Sequence, residues 1–289
     1  MRLAAVPLAL ALLLAAPASS PAAGADAPPA RVAIAGGDLT EIAFALGAAD
    51  RVVAVDSTST SPEAAAELPQ MGYLRRLAPE GVLSARPDLL IAAPDAGPAS
   101  AMAKLEAAAV EIALSPEADT PEAVPEKIAF MGRVLDLEAE ADALAARYRR
   151  ELAAARDEVA ALGAGPRALF VLAIEGGGPL VAGRGTSAHA ILTAAGAENA
   201  AADLTGWRPM SREAVLAAQP EAVVMMDGHA ERSGGLQAVL ARPDFAATPA
   251  GRDGRGVTLD GSLLLGFGPR TPEAIRALAR ALRPEAAAR

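Results

Sequence analysis

Leu77-Ala-Pro-Glu80-Gly-Val-Leu-Ser-Ala-Arg-Pro87-Asp-Leu-Leu-Ile91 aligns without gaps on Met210-Ser-Arg-Glu213-Ala-Val-Leu-Ala-Ala-Gln-Pro220-Glu-Ala-Val-Val224. Each copy sets an acid at the start of a short helix, Val-Leu on its apolar face, a Pro that ends it, a second acid, and then a buried strand. Glu80 and Glu213 are 133 residues apart, and so are Pro87 and Pro220. A weaker echo pairs Thr40–Ala48 with His189–Ala197, each an apolar helix ending in Gly-Ala. Two echoes in the same order predict two similarly built lobes.

Outward from the repeat, short β-like runs alternate with Ala-rich helical stretches. Val32–Ala35, Val52–Val55, Leu89–Ala92, Val110–Leu114, Ala168–Ile174 and Val223–Met226 read as strands, and Thr40–Leu46 and Met102–Ala109 as helices. This alternation predicts an α/β protein of βαβ units with parallel sheets, that is, two Rossmann-like lobes. Between the lobes, from Pro125 to Leu162, Gly132 is the one glycine. Leu144, Tyr148, Leu152 and Val159 keep a helical stripe there while charged residues coat the other faces. A single long connecting helix of about 25 residues, about 37 Å at 1.5 Å per residue, would be a stiff strut that forbids wide hinge closure. The expected organisation is a leader at 1–25, an N-terminal lobe at 26–136, the connecting helix at 137–162 and a C-terminal lobe at 163–289, with the ligand cleft between the lobes.

Composition narrows the function. The 289 residues are 52% hydrophobic, which requires a folded chain, and contain no Cys and two His. Disulfide frameworks, Cys-based zinc or iron–sulfur sites, thiol catalysis and multi-histidine metal cages are thereby excluded. The net charge of −9 is opposite to the basic footprint of a nucleic-acid binder. Arg2, the apolar run Leu3–Ala16 and the small residues at Ala23-Gly24-Ala25 fit a cleavable signal peptide. The run falls short of the roughly 20 apolar residues a spanning helix needs. An exported chain free in a periplasm is expected.

Several segments resemble a known family. The paired glutamates, the connecting helix, Gly72-Tyr73-Leu-Arg75-Arg-Leu-Ala-Pro-Glu80-Gly-Val-Leu-Ser and Leu263-Leu-Leu-Gly-Phe-Gly-Pro-Arg270-Thr-Pro are similar to the periplasmic haem-binding proteins of bacterial haem ABC importers. These share a rigid two-lobe fold with cobalamin- and siderophore-binding proteins. The resemblance implies capture of haem, fed indirectly by an outer-membrane uptake system, and delivery by a monomer to an inner-membrane ABC permease. It also makes Tyr73 the axial ligand of the haem iron, a role suited to a hard phenolate oxygen that favours ferric iron. In the wider superfamily, glutamates at the positions of Glu80 and Glu213 dock onto arginines of a two-fold symmetric permease. Taken without the resemblance, they are helix N-terminal acids that offset the dipole.

The remaining candidates leave alternatives open. Arg75 and Arg76 would favour a phenolate beside them or pair with haem propionates, or form a solvated face. His189, entering a helix that mirrors the one at Thr40, is a candidate second ligand or a structural histidine. His229 follows a strand and begins a Gly-rich loop, 228–235, at the end of a parallel sheet where ligands bind. His229 or Arg232 stands where the family places an arginine beside the ligand tyrosine. Met71, Met225 and Met226 line a pocket or fill the core. Trp207 covers the porphyrin or caps the second lobe. Glu175-Gly-Gly-Gly178 lacks the Lys of a phosphate cradle and suits a tight turn or a flat ligand. A siderophore or cobalamin carrier is the alternative within this fold. An exported α/β enzyme is the rival class, against which stands the lack of a G-x-S-x-G elbow.

Overall fold

A computed structural model describes residues 28–175 and 178–287. The leader expected at 1–25 lies outside the described residues. The first sheet contains β1 (Val32–Ala35), β2 (Val52–Val55), β5 (Leu89–Ala92) and β6 (Glu111–Leu114) in the order β2-β1-β5-β6, parallel throughout. A two-stranded hairpin, β3 (Gly72–Tyr73) and β4 (Arg76–Leu77), stands apart from it. The second sheet is ordered β10-β8-β7-β11-β12, from β7 (Arg167–Glu175), β8 (Gly178–Ala182), β10 (Trp207–Pro209), β11 (Ala222–Met226) and β12 (Gly256–Leu259), with β9 (Glu198–Asn199) beside β7. This second sheet is mixed, not purely parallel. Glu175 pairs with Gly178, so β7 folds straight back into the antiparallel β8, and β10 continues antiparallel on β8.

Alternation along the strands builds three apolar clusters. Val32, Ile34, Leu89 and Ile91 point one way and Ala33, Ala35, Leu90 and Ala92 the other. In the second sheet Ala168 and Phe170 point one way, Leu169 and Val171 the other. Both faces of each sheet are covered, as Rossmann-like sheets require. The inward faces of both sheets join one cluster, which also takes Met131, Leu144 and Tyr148 from the intervening helices and Ile191 and Ile275 from the second lobe.

The connection between the sheets is a helical hairpin. Helix Val124–Leu135 ends at Asp136, held in the left-handed conformation at φ 55°, and the 24-residue helix Glu138–Ala161 follows. A Cβ on Gly132 would sit 2.4 Å from that of Ala141, so glycine is what lets the two helices approach so closely. Leu144, Tyr148, Leu152, Ala155 and Val159 form the buried stripe of the long helix. Arg276 on helix Thr271–Ala281 reaches both Glu151 and Glu158 on its outer face.

The internal repeat is reproduced in detail. Helices Pro79–Ser84 and Arg212–Ala218 each carry their glutamate at the second position. Each is followed by a non-glycine left-handed residue, Arg86 (φ 46°) and Gln219 (φ 45°), immediately before the proline. The weaker echo has matching ends as well. Gly47 and Gly196 are both left-handed, and the amides of Ala48 and Ala197 bond back to Ala43 and Leu192, closing two similar helix ends.

Candidate functional site

Carboxyl ends of parallel strands gather ligand-binding loops, because helices return along the sheet and leave a crevice there. In the first lobe, Gly36 follows β1, Asp56 follows β2 and Asp95 follows β5. The β3–β4 hairpin is tied directly to the segments after β2 and β5, and through Asp56 to the one after β1. The Leu74 amide donates to Asp56 (3.2 Å), the Gly97 amide donates to the Leu74 carbonyl (2.9 Å), and the Leu77 amide donates to the Gly97 carbonyl (2.7 Å). Asp56 in turn accepts from the Gly36 amide (2.9 Å).

Tyr73 lies in this hairpin and is 36% exposed, one of few large hydrophobic side chains at the surface. Arg75, two residues on across the turn, donates to its hydroxyl and places its guanidinium carbon 5.7 Å from the ring centroid. Asp95 pairs with the same guanidinium. Partial burial opposes the Arg75 charge, but the Tyr73 hydrogen bond and the Asp95 carboxylate outweigh it and raise the guanidinium above its ordinary value. The hydrogen bond and the Asp95 pair thus hold a fixed cation at the phenolic oxygen. Arg76 pairs with Tyr73 through the backbone and is exposed. The second tyrosine is already satisfied. Tyr148 is 2% exposed, donates to the Pro121 carbonyl at 2.7 Å, and is pushed up by burial.

The histidines are held by the second lobe. Thr186 caps helix Ser187–Ala194 by accepting from the His189 amide (3.1 Å). Buried Asn199 has its amide orientation fixed at both ends: Oδ1 accepts from the Ala201 amide (2.9 Å) and Nδ2 donates to the Ala182 carbonyl (2.8 Å). Its remaining N–H points at His189 Nδ1, 3.1 Å away, so Nδ1 is the acceptor and the proton sits on Nε2. Burial first, and the Arg184 charge second, lower the His189 pKa. That contribution to stability is complete above the unfolded value of 6.5 and is lost as pH falls through the lowered folded value. A proton NMR titration should accordingly give His189 an apparent pKa below 6.5. A value at or above it would reverse the Asn199 assignment.

His229 sits in a short helix, Asp227–Arg232, where the sequence suggested a loop over 228–235. The glycines act at its end: Gly234 and Gly235 are left-handed, and their amides bond Glu231 and Ala230. His229 Nδ1 bonds the Leu172 carbonyl of β7, which ties the ring to the sheet. Arg232 is exposed at the end of this helix. Met71 and Met225 are core residues, and Trp207 packs edge-on against buried Phe170 at 6.0 Å.

One charged pair, Arg270 with Glu41, and one charged hydrogen bond, from Lys127, join the lobes beside this crevice. Lys127 pairs with Asp38 and donates to the Phe267 carbonyl (3.3 Å), while Arg270 pairs with Glu41. Burial raises Glu41 above the ordinary carboxylate value against the opposing pull of Arg270. The Leu263–Arg270 segment is therefore a lobe–lobe contact. Gly268 packs against Asp38 and Glu41, and a Cβ there would lie 3.3 Å from Glu41 Oε2.

Glu80 and Glu213 are exposed at matching helix starts. Arg31, entering β1, donates to the Ala85 and Arg86 carbonyls at the end of the first helix, and its amide donates to Asp88 (2.9 Å). Arg167, entering β7, donates to the Ala218 carbonyl (2.8 Å), and its amide donates to Glu221 (2.7 Å). With each helix end pinned to the start of a strand, each helix start, and its glutamate, faces the carboxyl end of its sheet. Its own backbone amide, then the Ser211 hydroxyl, hold the Glu213 carboxyl below its ordinary value.

The chain is similar to several known proteins. It superposes on the apo periplasmic haem-binding protein RhuT from Roseiflexus sp. RS-1 with a TM-score of 0.84 and 40% identity, covering 89% of this chain and 98% of that one. The periplasmic haem-binding protein BhuT, solved with two haems, gives 0.82 and 45% identity over 87% and 97% of the two chains. An uncharacterized ABC transporter substrate-binding lipoprotein of Bacillus subtilis, YvrC, is 28% identical over 85% of this chain and 77% of its own length. A vitamin B12-binding protein of Pectobacterium atrosepticum is 27% identical over 68% of this chain and 71% of its own. With the family model described as periplasmic binding protein matching residues 32–263, the chain belongs to that family and is a binding protein, not an enzyme.

Proposed function

We propose that the protein is the periplasmic haem carrier of an ABC importer, exported by its leader, binding haem through the Tyr73 phenolate and passing it to an inner-membrane permease that docks on Glu80 and Glu213. One observation carries the choice of ligand. Tyr73 is exposed at the carboxyl end of a parallel sheet with Arg75 already donating to its oxygen, while Tyr148 is buried and spent. A lone phenolate suffices to hold ferric haem, and a cation beside it supports the bound anion. The likeness to two haem-binding proteins over nearly the whole chain supports this reading. Cobalamin is the second reading, favoured by the similarity to vitamin B12-binding proteins. Parallel absorbance titrations with hemin and cyanocobalamin separate the two. Hemin is expected to saturate with a Soret band and a high-spin tyrosinate-type spectrum while cyanocobalamin does not bind. Tight cyanocobalamin binding without hemin saturation would replace haem by cobalamin and make Tyr73 incidental.

A further inference from the structure

Asp56 is 0% exposed, and its carboxylate faces five donors. Three are backbone amides, of Gly36 (2.9 Å), Thr58 (3.1 Å) and Leu74 (3.2 Å). Two are hydroxyls, of Thr58 (2.9 Å to each oxygen) and Ser59 (3.2 Å). A buried carboxylate is costly unless its lone pairs are filled, and here they are. These donors come from three separate pieces of the site: the start of helix Gly37–Ala45, the loop after β2, and the turn between Tyr73 and Arg75. Ser59 is bonded to buried Thr40 of the same helix at 2.8 Å, which closes the network. β3 and β4 pair over only two residues each and belong to no larger sheet, so the turn is held by its bonds to neighbouring loops: the Leu74 amide on Asp56, the Gly97 amide on the Leu74 carbonyl (2.9 Å) and the Arg75–Asp95 pair.

We propose that Asp56 is the positioning residue of the ligand tyrosine: it touches no ligand, but through the Leu74 amide it fixes the turn that places the Tyr73 oxygen and the Arg75 guanidinium together. This inference rests on the reading of Tyr73 as the iron ligand. Among the described residues, Asp56 is the acceptor for the Leu74 amide. An asparagine of the same shape offers one acceptor atom where two are used, so its NH2 group must face at least one backbone amide.

The test compares the mature wild-type protein with Asp56→Asn, Tyr73→Phe and Ile34→Val, the last a core truncation on β1 that leaves the turn alone. In hemin titrations Asp56→Asn is expected to bind about tenfold more weakly or worse and to lose or shift the tyrosinate charge-transfer band. Ile34→Val should keep the wild-type spectrum. An Asp56→Asn protein with the wild-type spectrum and affinity would overturn the proposal. Failure of the ligand reading shows separately, as a Tyr73→Phe spectrum identical to wild type. In that event amide exchange of the apo protein decides the positioning claim: Leu74 should exchange at least about tenfold faster in Asp56→Asn, and unchanged protection refutes it. If Asp56→Asn does not fold, Thr58→Val, which removes the hydroxyl shared by both carboxylate oxygens, carries the same comparisons with the same opposing outcomes.

Discussion

Tyr73→Phe should remove the tyrosinate spectrum and weaken hemin binding by about a hundredfold or more, since the variant keeps the ring and loses only the oxygen that binds iron. The fold should survive intact. Tyr73 is partly exposed in a two-residue strand, and surface substitutions of this kind change stability by about 0.5 kcal/mol or less. Far-UV circular dichroism and the melting midpoint should therefore match wild type while the absorbance titration does not. Arg75 remains paired with Asp95 in the variant, so residual hemin binding would report the pocket without its ligand. An unchanged spectrum would exclude Tyr73 as the ligand.

Replacing Glu80 and Glu213 together by Ala should abolish haem delivery in a reconstituted importer while hemin binding stays at the wild-type level. Both residues are exposed at helix starts, where solvent screens an acid's interaction with the dipole and leaves it too weak for loss of the pair to unfold the protein. At an interface with cationic partners, close charge pairs couple by about 1.5 kcal/mol or more each, so losing two weakens association by roughly a hundredfold or beyond. Each single variant should fall between wild type and the double variant. Wild-type transport rates from the double variant would remove the glutamates from docking.

Much of this was legible in the sequence because the repeat is local. The acid, Val-Leu, proline and strand fall within fifteen residues in each copy, and periodicity resolves such a stretch. What holds the copies in place was not legible. Arg31 and Arg167 make equivalent bonds to helix ends over 50 residues away in sequence, and their spacing differs from that of the repeat by three residues, so no ungapped alignment pairs them. Asp56 carries no motif that sets it apart in sequence, and only the fold reveals that three amides converge on it. The glycines around His229 suggested a loop because composition does not distinguish a glycine inside a helix from one that terminates it. The Leu263–Arg270 segment stood out in sequence through its likeness to haem-binding proteins, and its part in bringing the lobes together is visible only once Lys127 and Glu41 are placed beside it.

The matched arginine latches have a consequence for any two-fold partner. Because Arg31 and Arg167 fix their helices to their sheets by the same bonds, the glutamates are presented in the same way on both lobes. A symmetric docking surface then meets equivalent contacts whether the protein arrives in one orientation or turned by half a revolution. Association gains a degeneracy of two, about 0.4 kcal/mol. If Tyr73 is the ligand, the asymmetry of such a complex resides in the cargo, since one lobe carries that tyrosine and the other has none.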